Sequence, residues 1–246
     1  MKADPKAQLR LLDLQAADTA LAQLAHRRDH LPELAELAAA DERIAALRDD
    51  VVRAETEVGD LDREQKRVDR DVEQVRARAD KDRARLQSGA AGAKELESLQ
   101  HEVESLSRRQ TTLEDQELEV MERREEAEAR LAEARGQQES SDAARSAVVA
   151  RRDEAFEEID AARQARESEH KIIVADLPAD LLALYDKVRA QHGGVGAAAL
   201  RQRRCEGCRI ELAGNDLSAA RHAAPDEVLR CEECRRILVR TPESGL

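Results

Sequence analysis

Four cysteines, the only thiols in the 246-residue chain, stand in two pairs near its carboxyl end. They are Cys205 and Cys208 in "CEGC", and Cys231 and Cys234 in "CEEC". A Cys-x-x-Cys pair forms a tight turn that aims two sulfurs at one point, and two such pairs suit a tetrahedral zinc ion. The 22 residues between the pairs slightly exceed the usual spacing of about 15 to 20. We predict one structural zinc ion held by these four thiolates.

A dithiol redox centre and an iron site are the alternatives for the same cysteines. The redox interpretation needs a strand–helix–strand context that the neighbouring sequence lacks. His192 and His222 could also bind metal, but the thiolates complete the count and surface histidines are the simpler interpretation. Four sulfur ligands leave no open position for water or substrate. We therefore expect no catalytic residue and no enzyme.

The cellular compartment also indicates whether the paired cysteines bind a metal or form a disulfide. The amino-terminal stretch "MKADPKAQLRLLDLQ" is amphipathic and lacks the apolar run of a signal peptide. No window approaches the roughly 18 apolar residues of a transmembrane helix. We expect a cytoplasmic protein, where thiols stay reduced. The 34 Arg against seven Lys indicate a GC-rich bacterial genome.

The composition predicts long helices instead of a globular core. Charged residues make up 38% of the chain and aromatic residues 1%, the pattern of coiled coils. Residues 197–240 hold nine Arg and seven acidic residues, a net of +2, and the six-residue tail adds −1. The total of −12 therefore leaves −13 on residues 1–196. Such a segment repels nucleic acid. Only the carboxyl-terminal module has the net positive charge that contact with phosphate groups needs.

Apolar residues at alternating steps of three and four predict an antiparallel coiled-coil hairpin. One series runs from Ile44 to Leu86 and a second from Leu96 to Ile173. The glycines near residues 88–92 predict the turn, and Pro32 predicts a bend. At about 1.5 Å per residue, each helical arm would extend roughly 120 Å. Polar residues interrupt the seam, and they either fix the register or mark a docking place for a partner helix: Gln65, Gln110, Glu117 and Arg124.

We divide the chain into three parts on this basis. Residues 1–176 form the hairpin, residues 177–196 a short helix and a glycine hinge, and residues 197–246 a small β zinc ribbon. The ribbon has few large apolar groups, so zinc binding would stand in for the missing core. The predicted fold class is mainly α, with this ribbon at the carboxyl end.

The stretch "LPADLLALYDKVRAQHGGVGAAAL", followed by "CEGC" and "CEECRRILV", resembles the bacterial C4-type zinc-ribbon protein family. That family joins a long helical hairpin to a carboxyl-terminal zinc ribbon. The resemblance implies that Cys205, Cys208, Cys231 and Cys234 bind zinc. It also implies a non-enzymatic nucleic-acid-binding or regulatory adaptor.

The second cysteine pair departs from the usual Cys-Pro-x-Cys-Gly of such ribbons. Glu232 replaces the proline and Arg235 replaces the glycine. The sulfurs are unchanged, so zinc binding remains chemically possible, although we expect a less relaxed backbone.

Two functions follow from these features. In the first, the acidic coiled coil engages a protein partner and the chain acts as an adaptor or scaffold. In the second, the ribbon grips DNA or RNA through its arginines, although it has no aromatic residue on which bases could stack. The candidate nucleic-acid or partner contacts are Arg201, Arg203, Arg204, Arg209, Arg235, Arg236 and Arg240.

Overall fold

Four helices precede the ribbon in the computed structural model, which describes residues 1–89 and 92–246. They are α1 (Pro5–Asp29), α2 (Pro32–Ser88), α3 (Ala93–Ala175) and α4 (Ala179–Gln191). The chain leaves the helix between α1 and α2, where Pro32 occupies the first position of the new helix and the sequence predicts a bend. The predicted turn at 88–92 includes residues 90 and 91, which lie outside the described residues.

Residues 35–149 form one compact unit, in which α2 and α3 run antiparallel. The predicted heptad positions of this unit are buried or half-buried, so the coiled-coil hairpin is confirmed. Ion pairs join the two helices along this unit, for example Arg135 with Glu55 at 2.6 Å and Arg78 with Glu102 at 2.7 Å. The buried seam residues are Leu37, Ile44, Leu47, Leu61, Val68, Val72, Ala79, Leu99, Leu106, Leu113, Val120 and Ala127.

Two of the polar seam residues bind each other. Arg124 Nη1 donates to Gln65 Oε1 across the hairpin at 2.9 Å, and Gln110 donates to Glu114 on its own helix at 2.8 Å. A polar pair at the seam specifies register at some cost in stability. The Gln65–Arg124 contact therefore accounts for two of the interruptions without any ligand.

Residues 1–34 and 150–246 form the second compact unit. It contains α1, the carboxyl-terminal part of α3, α4 and the ribbon. Its main core brings side chains of all these elements together, with Leu11, Leu14, Leu181, Tyr185 and Val239 almost fully buried. The ribbon thus shares one core with the helices beside it.

The ribbon contains a four-stranded sheet and a short helix that the sequence analysis did not predict. The strands are β1 (Ala197–Arg201), β2 (Arg204–Cys205), β3 (Leu229–Arg230) and β4 (Ile237–Arg240), and α5 spans Gly214–His222. Their order is β2-β1-β4-β3, with β1 parallel to β4 and the other neighbours antiparallel.

The amino terminus adds a further contact to this sheet region. Lys2 forms an antiparallel bridge with Glu227. The Ala3 amide donates to the Asp226 carbonyl at 2.7 Å, and the Val228 amide donates to Met1 at 3.1 Å. Residues more than 220 positions apart are therefore held together.

None of the helices in the described ranges has a stretch long and apolar enough to span a lipid bilayer. The division at 1–176, 177–196 and 197–246 stays a prediction.

Candidate metal centre and the ribbon arginines

The two cysteine pairs adopt the same backbone turn. The Arg209 amide donates to the Cys205 carbonyl at 2.7 Å, and the Arg235 amide donates to the Cys231 carbonyl at 2.8 Å. Each turn closes through the amide of its first cysteine, which donates at 3.0 Å to the carbonyl five residues later. Each pair therefore directs two sulfurs from one rigid turn, as predicted from their spacing.

The residue after each second cysteine lies in the left-handed region. Arg209 has φ of 62° and Arg235 has φ of 57°, a conformation that costs roughly 1 to 2 kcal/mol for a residue with a Cβ atom. The sequence analysis identified the missing glycine only at Arg235. The first pair has the same departure, so both turns carry this strain.

Gly207 is required where it stands. A Cβ atom there would lie 2.9 Å from Arg236 Cδ and 3.0 Å from Ala198 Cβ. The first turn therefore packs directly against β1 and against the Arg236 side chain, and a larger residue would push them away.

The four sulfur atoms lie within 4.8 Å of one another. Cys205 Sγ is 3.8 Å from Cys234 Sγ, and Cys208 Sγ is 3.8 Å from Cys231 Sγ. A tetrahedral zinc with sulfurs at about 2.3 Å requires sulfur–sulfur separations of roughly 3.8 Å. The donor set therefore fits zinc, which is the one structural cofactor of this C4-type ribbon.

Burial controls the ionisation of these thiols. It raises the pKa of Cys205 to about 12 and also raises the pKa of Cys231. Burial opposes ionisation of Cys234 too, but hydrogen bonds from Arg236 and the neighbouring thiols outweigh it and lower that pKa to about 7. The two buried thiols need a cation to become thiolates near neutral pH, and a bound zinc ion deprotonates its thiol ligands outright.

A buried polar network fastens α4 and the segment after it to α1. The Tyr185 hydroxyl donates to Asp18 Oδ2 at 2.6 Å. His170 Nε2 lies 3.1 Å from Asp18 Oδ1, and Arg189 Nε lies 3.2 Å from Asp18 Oδ2 but is not aligned for a hydrogen bond. Asp18 is only 3% exposed, so its charge is balanced inside the protein.

Gln15 holds the segment that leads into the ribbon. Its Oε1 accepts the Gly196 amide at 2.7 Å, and its Nε2 donates to the Gly194 carbonyl at 3.0 Å. A Cβ atom at position 196 would lie 2.8 Å from the Tyr185 ring. The predicted glycine hinge is therefore tied to α1, and Tyr185 beside it is only 1% exposed.

Two of the seven candidate arginines each bind three or more backbone carbonyls within the protein. Arg236 donates to the carbonyls of His192, Val195 and Gly207 at 3.1, 3.2 and 3.3 Å. Arg240 donates to the carbonyls of Ala223, Ala224, Pro225 and Glu227, at 2.7 to 3.0 Å. Both guanidinium groups are hydrogen-bonded within the protein, so they are not available to contact a phosphate or a partner.

Two more of the arginines have acidic partners. Arg201 pairs with Glu243 at 2.7 Å and Arg235 pairs with Glu232 at 3.0 Å. Both pairs are exposed, and exposed pairs contribute little to stability. They do reduce the positive charge available to a phosphate.

The remaining three arginines stand around the first cysteine pair. Arg203 donates through Nε to the Gly245 carbonyl at 3.2 Å. Arg204 and Arg209 are exposed, and within the described part of the chain neither has an ion pair. Within the described ranges, these three of the seven candidate contacts are therefore the ones without a carboxylate partner or several carbonyl partners.

The two histidines lie outside the cysteine cluster of the described residues. His192 ends α4, and its carbonyl accepts from Arg236. His222 is exposed, and its Nδ1 lies 2.7 Å from the Ser218 carbonyl.

The fold and the cysteine cluster together define a coiled-coil hairpin protein with a C4 zinc ribbon. The chain belongs to the family described as the CT398-like coiled coil hairpin domain, which matches residues 14–193. A C4-type zinc ribbon domain matches residues 204–238. The resemblance stated from the sequence is confirmed.

Relatives support the same assignment along the whole chain. An uncharacterized protein of Mycobacterium tuberculosis, Rv2229c, is 44% identical over 251 residues, which cover 98% of each chain. A solved structure from Mycobacterium smegmatis is 37% identical with a TM-score of 0.86, over 98% of this chain and 100% of that one. The structure of CT398 from Chlamydia trachomatis is 20% identical with a TM-score of 0.68, over 96% and 98%. This last likeness shows a shared fold.

Proposed function

We propose that this protein is a non-enzymatic zinc-binding adaptor whose coiled-coil arm, residues 1–176, engages a protein partner. The observation that carries the proposal is a set of large apolar side chains outside the buried seam. Val52 is 60% exposed, Leu118 is 59% exposed and Met121 is 38% exposed. Outer positions of a hairpin that only spaces its ends would be polar, whereas exposed apolar groups among charges suit contact with another protein.

Charge supports a protein partner over a nucleic acid. Residues 1–196 carry −13, which attracts a basic protein surface and repels a phosphate backbone. The partner that fits this arm is therefore a protein with a positively charged contact surface.

The zinc chemistry supports a structural role for the metal. Four thiolate ligands complete the tetrahedral shell, so zinc has no position for substrate or water. Zinc would hold the ribbon folded against α1 and α4 and take no part in a reaction.

Site-specific photocrosslinking in bacterial cells tests the proposal with the full-length protein. A photoreactive amino acid is placed at Val52 or Leu118 on the arm, or at Arg209 on the ribbon. We expect a discrete protein adduct from an arm position. Protein adducts from Arg209 alone would contradict the proposal.

A second candidate function, binding of RNA or DNA by the ribbon, is favoured by one observation. Arg203, Arg204 and Arg209 are exposed around a single turn, where guanidinium groups could contact adjacent phosphates. Against this, Arg236 and Arg240 each bind three or more carbonyls of the fold, and Arg201 and Arg235 pair with carboxylates.

Gel-shift titration of the full-length protein against RNA and DNA at several salt concentrations tests this candidate. Binding through phosphates weakens steeply with salt, and replacing the three arginines with alanine should reduce that dependence. Arg236 is unsuitable for substitution in this test because its guanidinium group binds three backbone carbonyls of the fold. No binding at low salt would eliminate the candidate.

A further inference from the structure

Ion pairs on one flank of the hairpin repeat at the heptad spacing. Arg135 pairs with Glu55 at 2.6 Å, and Arg76 pairs with Glu114 at 3.4 Å. The two pairs are separated by 21 residues on each helix, which is three heptads. Equivalent positions in an antiparallel hairpin therefore face each other at residues 62 and 128, and again at residues 69 and 121.

The pair of positions 62 and 128 holds two carboxylates, and each is neutralised on its own helix. Asp62 accepts from Lys66 at 2.6 Å. Glu128 pairs with Arg124 at 2.9 Å. Both acids at this step of the flank therefore have a cationic partner.

The pair of positions 69 and 121 differs from the others. The equivalent heptad positions of α2 all hold charged residues, namely Glu55, Asp62, Asp69 and Arg76. The residue of α3 that faces Asp69 is the apolar Met121. Asp69 Oδ1 is buried, and no hydrogen-bond partner for it is found within the described residues. Met121 and Leu118, one helical turn apart, are both exposed. This step therefore combines a carboxylate oxygen without a partner and an exposed apolar surface, and the position facing Asp69 from α3 holds no cation.

Asp69 lies between two grooves of opposite charge. One is lined by the basic residues Arg63, Lys66 and Arg70, of which Arg63 and Lys66 already have acidic partners. The other is acidic and is lined by Asp69, Glu73 and Asp80 of α2 and by Glu117 of α3. Its one basic residue, Arg76, is already paired with Glu114. A positively charged side chain is therefore the occupant that the acidic groove favours.

We infer that the 69–121 flank, defined by Asp69, Glu117, Leu118 and Met121, is a docking surface for a basic amphipathic helix of the protein partner. A Lys or Arg of that helix would bind Asp69, and its apolar face would cover Leu118 and Met121. This inference rests on the proposed function, and it adds where on the arm the partner binds and what chemistry it must carry.

Peptide binding to the full-length, zinc-loaded protein tests the inference. The probe is a fluorescein-labelled amphipathic helical peptide made of leucine and lysine. A matched peptide has glutamate in place of every lysine. Fluorescence anisotropy compares the wild type with Leu118→Ser/Met121→Ser, with Asp69→Asn, and with the control Ile210→Ser, which removes an exposed apolar residue of the ribbon.

The lysine peptide should bind and the glutamate peptide should not. The double variant and Asp69→Asn should each weaken binding by about fivefold or more, the change that roughly 1 kcal/mol gives, and Ile210→Ser should leave it unchanged. Equal affinities for wild type, Asp69→Asn and the double variant would overturn the inference. Asp69→Asn keeps the shape of the side chain, so its result stands even if the double variant unfolds by circular dichroism.

Photocrosslinking separates failure of this inference from failure of the proposed function. A protein adduct from Leu118 that maps to a basic helix supports both. Adducts from Val52 without any from Leu118 would overturn the docking surface and leave the adaptor proposal standing. Adducts from neither arm position, with adducts from Arg209, would overturn both.

Discussion

Tyr185 donates its hydroxyl hydrogen to Asp18 across 2.6 Å, and this bond joins α4 to α1 inside a buried core. The same core contains residues of β1 and β4, and Gln15 binds the segment between α4 and β1. The strands β1 and β4, which begin and end the zinc-ribbon sheet, therefore share one core with α1 and α4. This packing explains how a module with so few large apolar side chains obtains a core.

The ionisation of Tyr185 gives a first prediction. Burial, with a contribution from Asp18, raises the pKa of Tyr185 well above its usual value. The folded state therefore favours the neutral phenol. Its contribution to stability is complete below the pKa of an unfolded tyrosine, about 10, and is lost as the pH rises above that value. Absorbance at 295 nm measures this directly because Tyr185 is the only tyrosine and there is no tryptophan.

We expect no phenolate signal at pH 10 to 11 while the protein stays folded. The protein unfolded in urea supplies the control and should titrate near pH 10. A folded-state inflection at about pH 10 would show that the hydroxyl is in water. Tyr185→Phe should lower the free energy of unfolding by about 1 to 3 kcal/mol, because it leaves a buried acceptor without its donor.

Metal removal gives a second prediction. Purified protein should contain one zinc per chain, and Cys208→Ser with Cys231→Ser should abolish binding. Helix content by circular dichroism should stay nearly unchanged, since residues 35–149 form a compact unit of their own. His192→Ala with His222→Ala is the matched control and should retain zinc. Stoichiometric zinc in the cysteine variant, measured by elemental analysis, would rule out the predicted ligand set.

The left-handed residues give a third prediction. Arg209→Gly should relieve strain at φ of 62° and, after the entropic cost of glycine, stabilise the first turn by about 0.5 to 1 kcal/mol. Arg204→Gly, in strand β2, should have the opposite sign because it adds only that cost. The rate of zinc transfer to an excess of chelator measures both. Faster loss from Arg209→Gly would contradict the assignment of strain.

Arg236 gives a fourth prediction. Arg236→Ala leaves three carbonyl groups without their donor and should cost about 1 to 3 kcal/mol of stability. Arg204→Ala, at an exposed position, should change stability by less than about 0.5 kcal/mol. Thermal denaturation of the two variants tests the difference. If the two melt alike, Arg236 is as free as its place in the sequence first indicated.

The coiled coil and the metal site could be predicted because both depend on local spacing. The seam follows from apolar residues repeated every 3.5 positions, and the zinc site follows from two Cys-x-x-Cys pairs. The separate roles of Arg204 and Arg236 could not be predicted in this way. Both flank a cysteine pair, and only the folded chain shows which of them lies beside three carbonyl groups.

Long-range polar contacts could not be predicted from the sequence pattern either. Asp18 and Tyr185 are 167 positions apart, and each belongs to a helix whose periodicity says nothing of the other. Asp18 resembles any acidic residue of an amphipathic helix until the core is assembled. Helix α5 lacks a side-chain cap, so its start carries no cap signal of the kind that marks α1 at Asp4.

Crosslinking from Leu118 in a protein that also carries Arg203→Ala, Arg204→Ala and Arg209→Ala tests the adaptor proposal most directly. This variant removes the exposed positive charge around the first cysteine pair and leaves the arm intact. We predict that the protein adduct forms with the same yield as in the protein that retains the three arginines. Loss of the adduct from this variant, with zinc content and helix content unchanged, would show that the ribbon and not the arm holds the partner.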